Sequence, residues 1–545
     1  MYWGGPAFRS TLRGLVQCVC DGTMHPGVAD VIGDLKLVGI EKPDGGTRPI
    51  GIGGAIRRLA GRCVMHDSGE RMGRVFTETR PTEAMLQAAG HGGRECNIPL
   101  QVGVGIKGGA EIAVAVVQLA LQRHRDWAVF SDDKSNAFNT VTREAIYRGL
   151  KEWFPELIPT FRLFYARSGK LFSVGKAGRQ LATDEDGLPY SSTEGCTQGD
   201  PLGPFYWAVG YHFTLLEVQA RHPDVTMLAF LDDTYYLQEP LQGLAAMRTG
   251  AEVTEARTKV KSNLGKQEVY GGPACDLSPM PAALRGAPTA PPDPDKGYAG
   301  GRLVSVKVLG AFLGGVLECS EKLVARVERK LKALEQVPKL RDTTKCNVAL
   351  QVAMQINRFC ANTSLNYFMR TMGSAATRAA AARHDALVEE CLFRMLGSTS
   401  ATATERSRAI QQARLPVKLG GLGITSMQAT QDSAVVGKWA LCFWQMRRLC
   451  PQIFAHVDLA TCPLPAAQEC RSAHKRLQDK WRRMDATWRE VDTSYYDYDK
   501  FGEGHAAYRP PHLPGQHKLE PITAYNHTSQ FHFGQFYLHR CRVGL

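Results

Sequence analysis

Two pairs of adjacent aspartates stand at the ends of apolar runs. Asp132-Asp133 follows Ala128–Phe130 in AVFSDDKSNAFNTV, and Asp232-Asp233 follows the run in TMLAFLDDTYYL. A carboxylate at a strand end aims into a cleft and can hold a hard cation such as Mg²⁺. A single aspartate there is more often a helix cap or a turn residue. The second pair is harder to explain that way. The β-prone run Thr234–Leu237 follows it, so the two runs read as a hairpin with carboxylates at its tip. Like charges side by side repel, and burying them is costly unless a cation neutralises them.

Two further segments carry groups that suit phosphates. In EGCTQGDPLGPFYWAVG (194–210), Gly195, Gly199 and Gly203 allow tight turns and close approach of a ligand, Gln198 can hydrogen-bond a sugar or base, and a helix starts near Pro204. In EKPDGGTRPIGIGGAIRRLAGR (41–62), the turn Asp44–Gly46 separates Lys42 from Arg48, and Arg57 and Arg58 open a helix. Arg48 is set where a hairpin arm brings a cation to a triphosphate. A basic arm, a carboxylate, a glycine loop and a carboxylate pair are the parts phosphoryl transfer needs. Two Mg²⁺ ions about 3.5–4 Å apart can activate an attacking 3′-hydroxyl and stabilise the leaving pyrophosphate.

The elements that must position these groups follow from pattern. The chain has 545 residues, 44% hydrophobic and 22% charged, which suits a globular protein of several domains. Its net charge of +13 favours a polyanionic partner. The 15 cysteines are an odd number, and no pair has zinc-site spacing, Cys462, Cys470 and His474 included. They read as reduced thiols of an intracellular protein. No apolar run nears the roughly 20 residues that span a bilayer, and MYWGGPAFRS lacks a signal-peptide core.

Residues 1–35 give no clear pattern and read as an extension. Residues 36–315 alternate short β-branched runs, helical stretches and glycine turns, as in a mixed α/β domain. Within them, SPMPAALRGAPTAPPDPDK (278–296) reads as an irregular insertion outside the core. From 316 the pattern turns helical. Leu323, Val327, Leu331 and Leu334 form a stripe, with Lys322, Arg326, Arg329, Lys330 and Lys332 around it. A Ser/Thr-rich linker is expected at 398–404, then further helices, then a weakly periodic tail beyond about 495.

The order and wording of these segments resemble the reverse transcriptases of non-LTR retrotransposons. Asp133-Lys134-Ser135-Asn136-Ala137-Phe138-Asn139 is similar to that family's first acidic motif, and this register selects Asp133 over Asp132. Gly195 through Pro204 resembles its glycine motif, and Phe230-Leu231-Asp232-Asp233 its hairpin, with Phe as a departure from the commoner residues. Arg48-Pro49-Ile50, Gln101–Glu111, Asn263-Leu264-Gly265-Lys266, the turn from Val308 to Gly315, and Leu415–Gly423 resemble further family segments. The resemblance spans roughly residues 36–430.

It implies an α+β right-hand polymerase: fingers and palm with an antiparallel sheet over 36–315, a helical thumb over 316–397, and a mainly helical or irregular region over 398–545. It implies that Asp133 and Asp232 bind two Mg²⁺ ions, with Mn²⁺ as a substitute and Asp233 adjacent. Phe138 would underlie the nucleotide sugar, Gln198 in the loop of Gly199 would contact the incoming dNTP, and Arg48 with Lys42 would hold its phosphates. Lys266 would protonate the pyrophosphate. The implied partners are an RNA template, a DNA primer or target and dNTPs, with no membrane, in the nucleus or cytoplasm. Two alternatives stand beside this reading. One is an RNA-dependent RNA polymerase, against which Phe138 and Leu231 argue. The other is a decayed, nucleic-acid-binding element remnant, against which the full set of carboxylates and glycines argues.

Overall fold

In the computed structural model, the apolar run before each acidic pair is a strand, as the β-prone composition requires. The structure describes residues 5–41, 45–167, 169–175, 178–183, 190–285, 298–299, 302–336, 347–397, 401–417, 420–455 and 457–482. The chain divides into two compact units, one of residues 1–113 with 126–284 and the other of residues 114–125 with 285–545. The division falls at 284/285, upstream of the composition change near 316.

The first unit is mixed α/β. Its strands in chain order are β1 (Leu35–Glu41), β2 (Thr47–Gly53), β3 (Leu100–Gln101), β4 (Ala128–Asp132), β5 (Gly169–Gly175), β6 (Gly178–Leu181), β7 (Ser191–Ser192), β8 (Thr226–Phe230), β9 (Asp233–Gln238) and β10 (Glu268–Gly271). One five-stranded sheet has the order β10-β4-β9-β8-β3. It is antiparallel except for β3, which runs parallel to β8. The other sheet has the order β2-β1-β5-β6, with β7 on β5. β1 and β2 form the antiparallel arm expected to carry Arg48.

The helices of this part of the chain are α1 (Pro6–Cys20), α2 (Pro26–Gly33), α3 (Ala55–Glu78), α4 (Glu83–Ala88), α5 (Gly109–Arg123), α6 (Ala137–Thr140), α7 (Arg143–Trp153), α8 (Ile158–Tyr165), α9 (Gly203–Arg221) and α10 (Pro240–Thr258). Thr142 caps α7 by accepting a hydrogen bond from the Ala145 N–H at 3.2 Å. α9 is apolar on nearly every face, so it must be enclosed. Phe205, Tyr206, Trp207 and Tyr211 of α9 are fully buried, in a core that also holds Phe76, Phe130, Phe154 and Tyr236.

Two sequence expectations need correction here. Residues 1–35 are not a featureless extension: they form α1 and α2, and Val19 is fully buried in the core. The segment from 278 is not wholly outside the core. Met280 is buried beside Leu277 and Cys275, and Ala282–Arg285 forms a helical turn, α11. Residues 286–297 lie outside the described residues.

The second unit is mainly helical. Its described strands form two short antiparallel pairs, Tyr298–Ala299 with Arg302–Leu303 and Ser305–Val308 with Ala311–Gly314. The stripe read from sequence is a buried seam. Leu323, Val327 and Leu331 lie on helix Val316–Leu331, and Leu334 lies on the 3₁₀ turn that follows. Lys322 and Arg326 among the surrounding cations have internal partners. Lys322 donates to Ser305 Oγ at 2.7 Å, and the Arg326 guanidinium lies 5.3 Å from the centre of the Phe368 ring. The helix pairs with Ser374–Leu396 through Glu328 and Arg383, 2.8 Å apart. The expected linker at 398–404 is shorter than its composition suggests, because Thr402 and Glu405 form a capping box that starts helix Ala403–Ala413. Among the described residues, no helix is long and apolar enough to cross a membrane. The tail beyond 495 lies outside the described residues.

The contact of α7 with α9 is set by small residues. A Cβ on Gly149 would stand 2.3 Å from the Val209 carbonyl oxygen, which is backbone and cannot swing aside. Gly149→Ala gains helix propensity but must push the helices apart. It should destabilise the protein by about 1–3 kcal/mol, measured by denaturant unfolding. Unchanged or increased stability would show that the two helices are not in this close contact.

Candidate active site

The three aspartates meet at one edge of the five-stranded sheet. Asp132 of β4 pairs with Thr234 of β9, so one further step along the antiparallel ladder sets Asp133 beside Asp233. Phe230 of β8 pairs with Asp233, which leaves Leu231 and Asp232 as a two-residue turn. Beyond β4, Ser135 N–H donates to the Lys261 carbonyl and Asn263 N–H donates to the Asp133 carbonyl, both at 2.8 Å. That pairing brings Lys266 round, with Nζ 3.0 Å from Asp133 Oδ2.

The two aspartates of the first pair have different surroundings. Asp132 is fully buried and ion-paired with Lys134. It also accepts from Ser262 Oγ at 3.0 Å and from Gln267 Nε2 at 2.9 Å. The Asp133 side chain is 25% exposed, and Lys266 is its ion-pair partner. Asp132 is thus satisfied internally, while Asp133 opens to solvent.

Electrostatics at the hairpin are unfavourable as they stand. Burial raises the Asp232 carboxyl and Asp133 adds to the shift, against which Arg48 and Lys134 pull it down. Burial, then Asp232, then Asp133 push Asp233 up to about 7, opposed by Lys266 and Lys134. These are the signs of clustered carboxylates short of positive charge. Among the described residues, no three His, Cys, Asp or Glu side chains are already gathered as a metal cage. Mg²⁺ sites seldom need one, because one or two carboxylates with substrate phosphates complete the shell. An oxygen donor set that lacks positive charge fits that requirement.

The glycine loop is locked beside this edge by contacts only glycine permits. Gly195 has φ +68°, and a Cβ there would lie 2.4 Å from the Phe138 carbonyl oxygen. Next to it, Cys196 N–H donates to that carbonyl at 2.7 Å. Gly199 has φ +108° and comes close to β2, where a Cβ would lie 2.7 Å from the Gly51 carbonyl oxygen. Gly51 N–H donates to the Gln198 carbonyl at 2.8 Å, so the loop and the strand carrying Arg48 form one unit. The Gln198 side-chain oxygen is buried with no hydrogen-bond partner. Phe138 is buried, and its ring stacks on Trp207 with centroids 6.0 Å apart. Arg48 is exposed, and Lys42 lies outside the described residues.

Four positioning side chains had no assigned role in the sequence reading. Asp200 and Arg57 form a buried ion pair, with Nη2 2.6 Å and Nε 3.0 Å from one carboxylate oxygen. Tyr165 donates to the same oxygen at 3.0 Å, and Arg57 also donates to the Gly33 carbonyl. Removing one partner of such a pair costs about 3–5 kcal/mol, because the other is left charged and buried. No sequence signal links residues so far apart. Lys134 is different: it stands two residues from Asp132, on the same face of an extended chain, and that spacing could have revealed the pair. In the second unit, Cys462, Cys470 and His474 are buried and join no metal-binding group among the described residues.

The raised Asp233 carboxyl makes a linkage prediction. The folded protein holds this proton up to about 7, whereas an unfolded aspartate loses it near 3.9. Stability is therefore fully present below the unfolded value and falls as pH rises towards 7. In EDTA, Asp233→Asn should raise the melting temperature relative to wild type more at about pH 8 than at about pH 4. An equal effect at both would mean that the carboxyl is not shifted.

No protein-family model matches the chain. A curated relative, the retrotransposable element SLACS 132 kDa protein of Trypanosoma brucei gambiense, is 24% identical over 443 residues. The match covers 79% of this chain but only 31% of that protein. Similar solved structures include telomerase from Candida albicans in complex with a TWJ fragment of telomeric RNA (10% identity, 82% of this chain and 66% of that chain, TM-score 0.35). Apo telomerase from Candida tropicalis is another (9% identity, 78% and 68%, TM-score 0.34). Scores this low do not establish a shared arrangement. The sequence relationship is what places the chain: it is a homologue of a retrotransposon-encoded protein.

Proposed function

We propose that the chain is an RNA-directed DNA polymerase that extends a DNA primer on an RNA template from dNTPs, as part of retrotransposition. The observation that carries the reading is the convergence of Asp133, Asp232 and Asp233 on one sheet edge, with Lys266 3.0 Å from Asp133. The retrotransposon relative supports it. In this reading residues 36–315 are fingers and palm, 316–397 are the thumb, and 398–545 are an accessory region. The +13 charge serves nucleic-acid binding, within the nucleus or cytoplasm.

Asp133 and Asp232 hold Mg²⁺, with Mn²⁺ as a substitute, and Asp233 supports them. Bound there, the cations would supply positive charge to the transferring phosphoryl group and the primer 3′-hydroxyl. Arg48 on the β1–β2 arm, with Lys42, takes the triphosphate by charge-assisted hydrogen bonds. The unpartnered carboxamide oxygen of Gln198 supplies a polar contact to the incoming nucleotide. Phe138, held from behind by Trp207, lies under the sugar. Lys266 keeps a proton at Nζ beside Asp133, for the departing pyrophosphate.

Primer extension on an RNA template tests the reading. Asp133→Asn or Asp232→Asn should lower the rate by about a thousandfold or more, matching several kcal/mol of lost charge stabilisation. Equal rates in wild type and variants, or preference for NTPs, would refute it. Phe138→Ala should relax selection of dNTPs over NTPs by at least about tenfold. An unchanged ratio would remove Phe138 from sugar discrimination.

A further inference from the structure

We propose that Gln101 is a positioning residue for the carboxylate hairpin, holding the backbone of Leu231 so that Asp232 and Asp233 stay aimed at the site. The proposal rests on the polymerase reading for its consequence, but not for its geometry. Gln101 is the last residue of β3 and is fully buried. β3 lies parallel to β8, with Gln101 opposite Ala229, so its side chain reaches the turn just past the end of β8. There the carboxamide grips the backbone of a single residue, bonding to the two peptide units that flank the Leu231 Cα. Its Nε2 donates to the Leu231 carbonyl at 2.9 Å, and its Oε1 accepts from the Leu231 N–H at 2.7 Å. The same Oε1 accepts from Gly103 N–H at 3.1 Å.

The turn needs this support. Leu231 has φ +57°, in the left-handed region that favours glycine. Two-residue hairpin turns of this kind usually carry glycine or asparagine where φ is positive. Leucine instead brings an apolar side chain that packs against the core. The leucine conformation is therefore held by side-chain packing and by the carboxamide together. Gly103 permits the approach, since a Cβ there would lie 2.8 Å from Leu231 N. The next residue along from Leu231 is Asp232, and the one after is Asp233. A rotation of the Leu231 peptide would re-aim both carboxylates. No atom of Gln101 need touch substrate for this; it acts through Leu231.

Only a positioning role predicts rescue by glycine. Gln101→Leu keeps the size and removes the hydrogen bonds. It should speed hydrogen exchange of the peptide containing Leu231 and Asp232 by at least about tenfold. It should also raise the Mn²⁺ concentration for half-maximal primer extension, and the Mn²⁺ dissociation constant by calorimetry, by about 10–100-fold. Leu231→Gly added to Gln101→Leu should bring both Mn²⁺ values back towards wild type, because glycine adopts the positive φ unaided. If Gln101→Leu folds poorly, the double variant and Gln101→Glu, which keeps the acceptor and loses the donor, carry the same comparison. Unchanged Mn²⁺ values in Gln101→Leu, or loss that Leu231→Gly does not relieve, would overturn the proposal. If wild type extends no primer with dNTPs, the polymerase reading fails. Exchange and calorimetry then still decide whether Gln101 holds the turn.

Discussion

Three carboxylates converge at the edge of one sheet, and much of the first unit can be understood as holding them there. Buried carboxylates resist ionisation, and like charges brought beside them add to this, which is why Asp233 is pushed up to about 7. The opposing charges come from separate segments: Lys266 in the turn just before β10, Arg48 on the β1–β2 arm, and Lys134 beneath. Lys134 is already committed to the buried Asp132, so its field is shared. The balance leaves room for a divalent cation without enclosing one in a ready-made cage.

A rigid frame has to resist that repulsion. The α9 core supplies it, with aromatic side chains stacked from Phe138 through Trp207 to Tyr211. The glycine loop enters α9 and is fixed at its start by the Arg57–Asp200 pair. Arg143 ties the approach to the same loop, donating to the Ser192 carbonyl at 2.7 Å and to the Tyr165 carbonyl at 2.9 Å. These contacts come from charged side chains turned inward, where each is tolerable only because its partner is present.

Much of this was legible in the sequence because it is local. Apolar runs ending in acidic pairs gave β4 and β8, the β-prone run after the second pair gave β9, and the start of α9 near Pro204 fell where its residue types suggest. The seam Leu323–Leu334 was legible from period alone. What stayed hidden depends on distant partners. Nothing in the spacing of Arg57 and Asp200, or of Gln101 and Leu231, announces that they meet. Asp132 and Asp133 were indistinguishable by residue type. The family motif chose between them, and in the fold one is hydrogen-bonded from three sides while the other faces solvent. Nor did the pattern of cations around helix Val316–Leu331 show that Lys322 would bond to Ser305 or that Arg326 would lie over Phe368.

The most direct test of the shared carboxylate site is to read where a divalent cation sits. Fe²⁺ replacing Mg²⁺, with ascorbate and peroxide, generates hydroxyl radicals that cut the backbone next to the bound ion. Cuts are expected in two segments distant in sequence, one around Asp133 and one around Asp232. Both should fade with excess Mg²⁺ and in Asp232→Asn. Cleavage in only one segment, or cleavage unchanged by Asp232→Asn, would contradict a site built jointly from β4 and the β8–β9 turn.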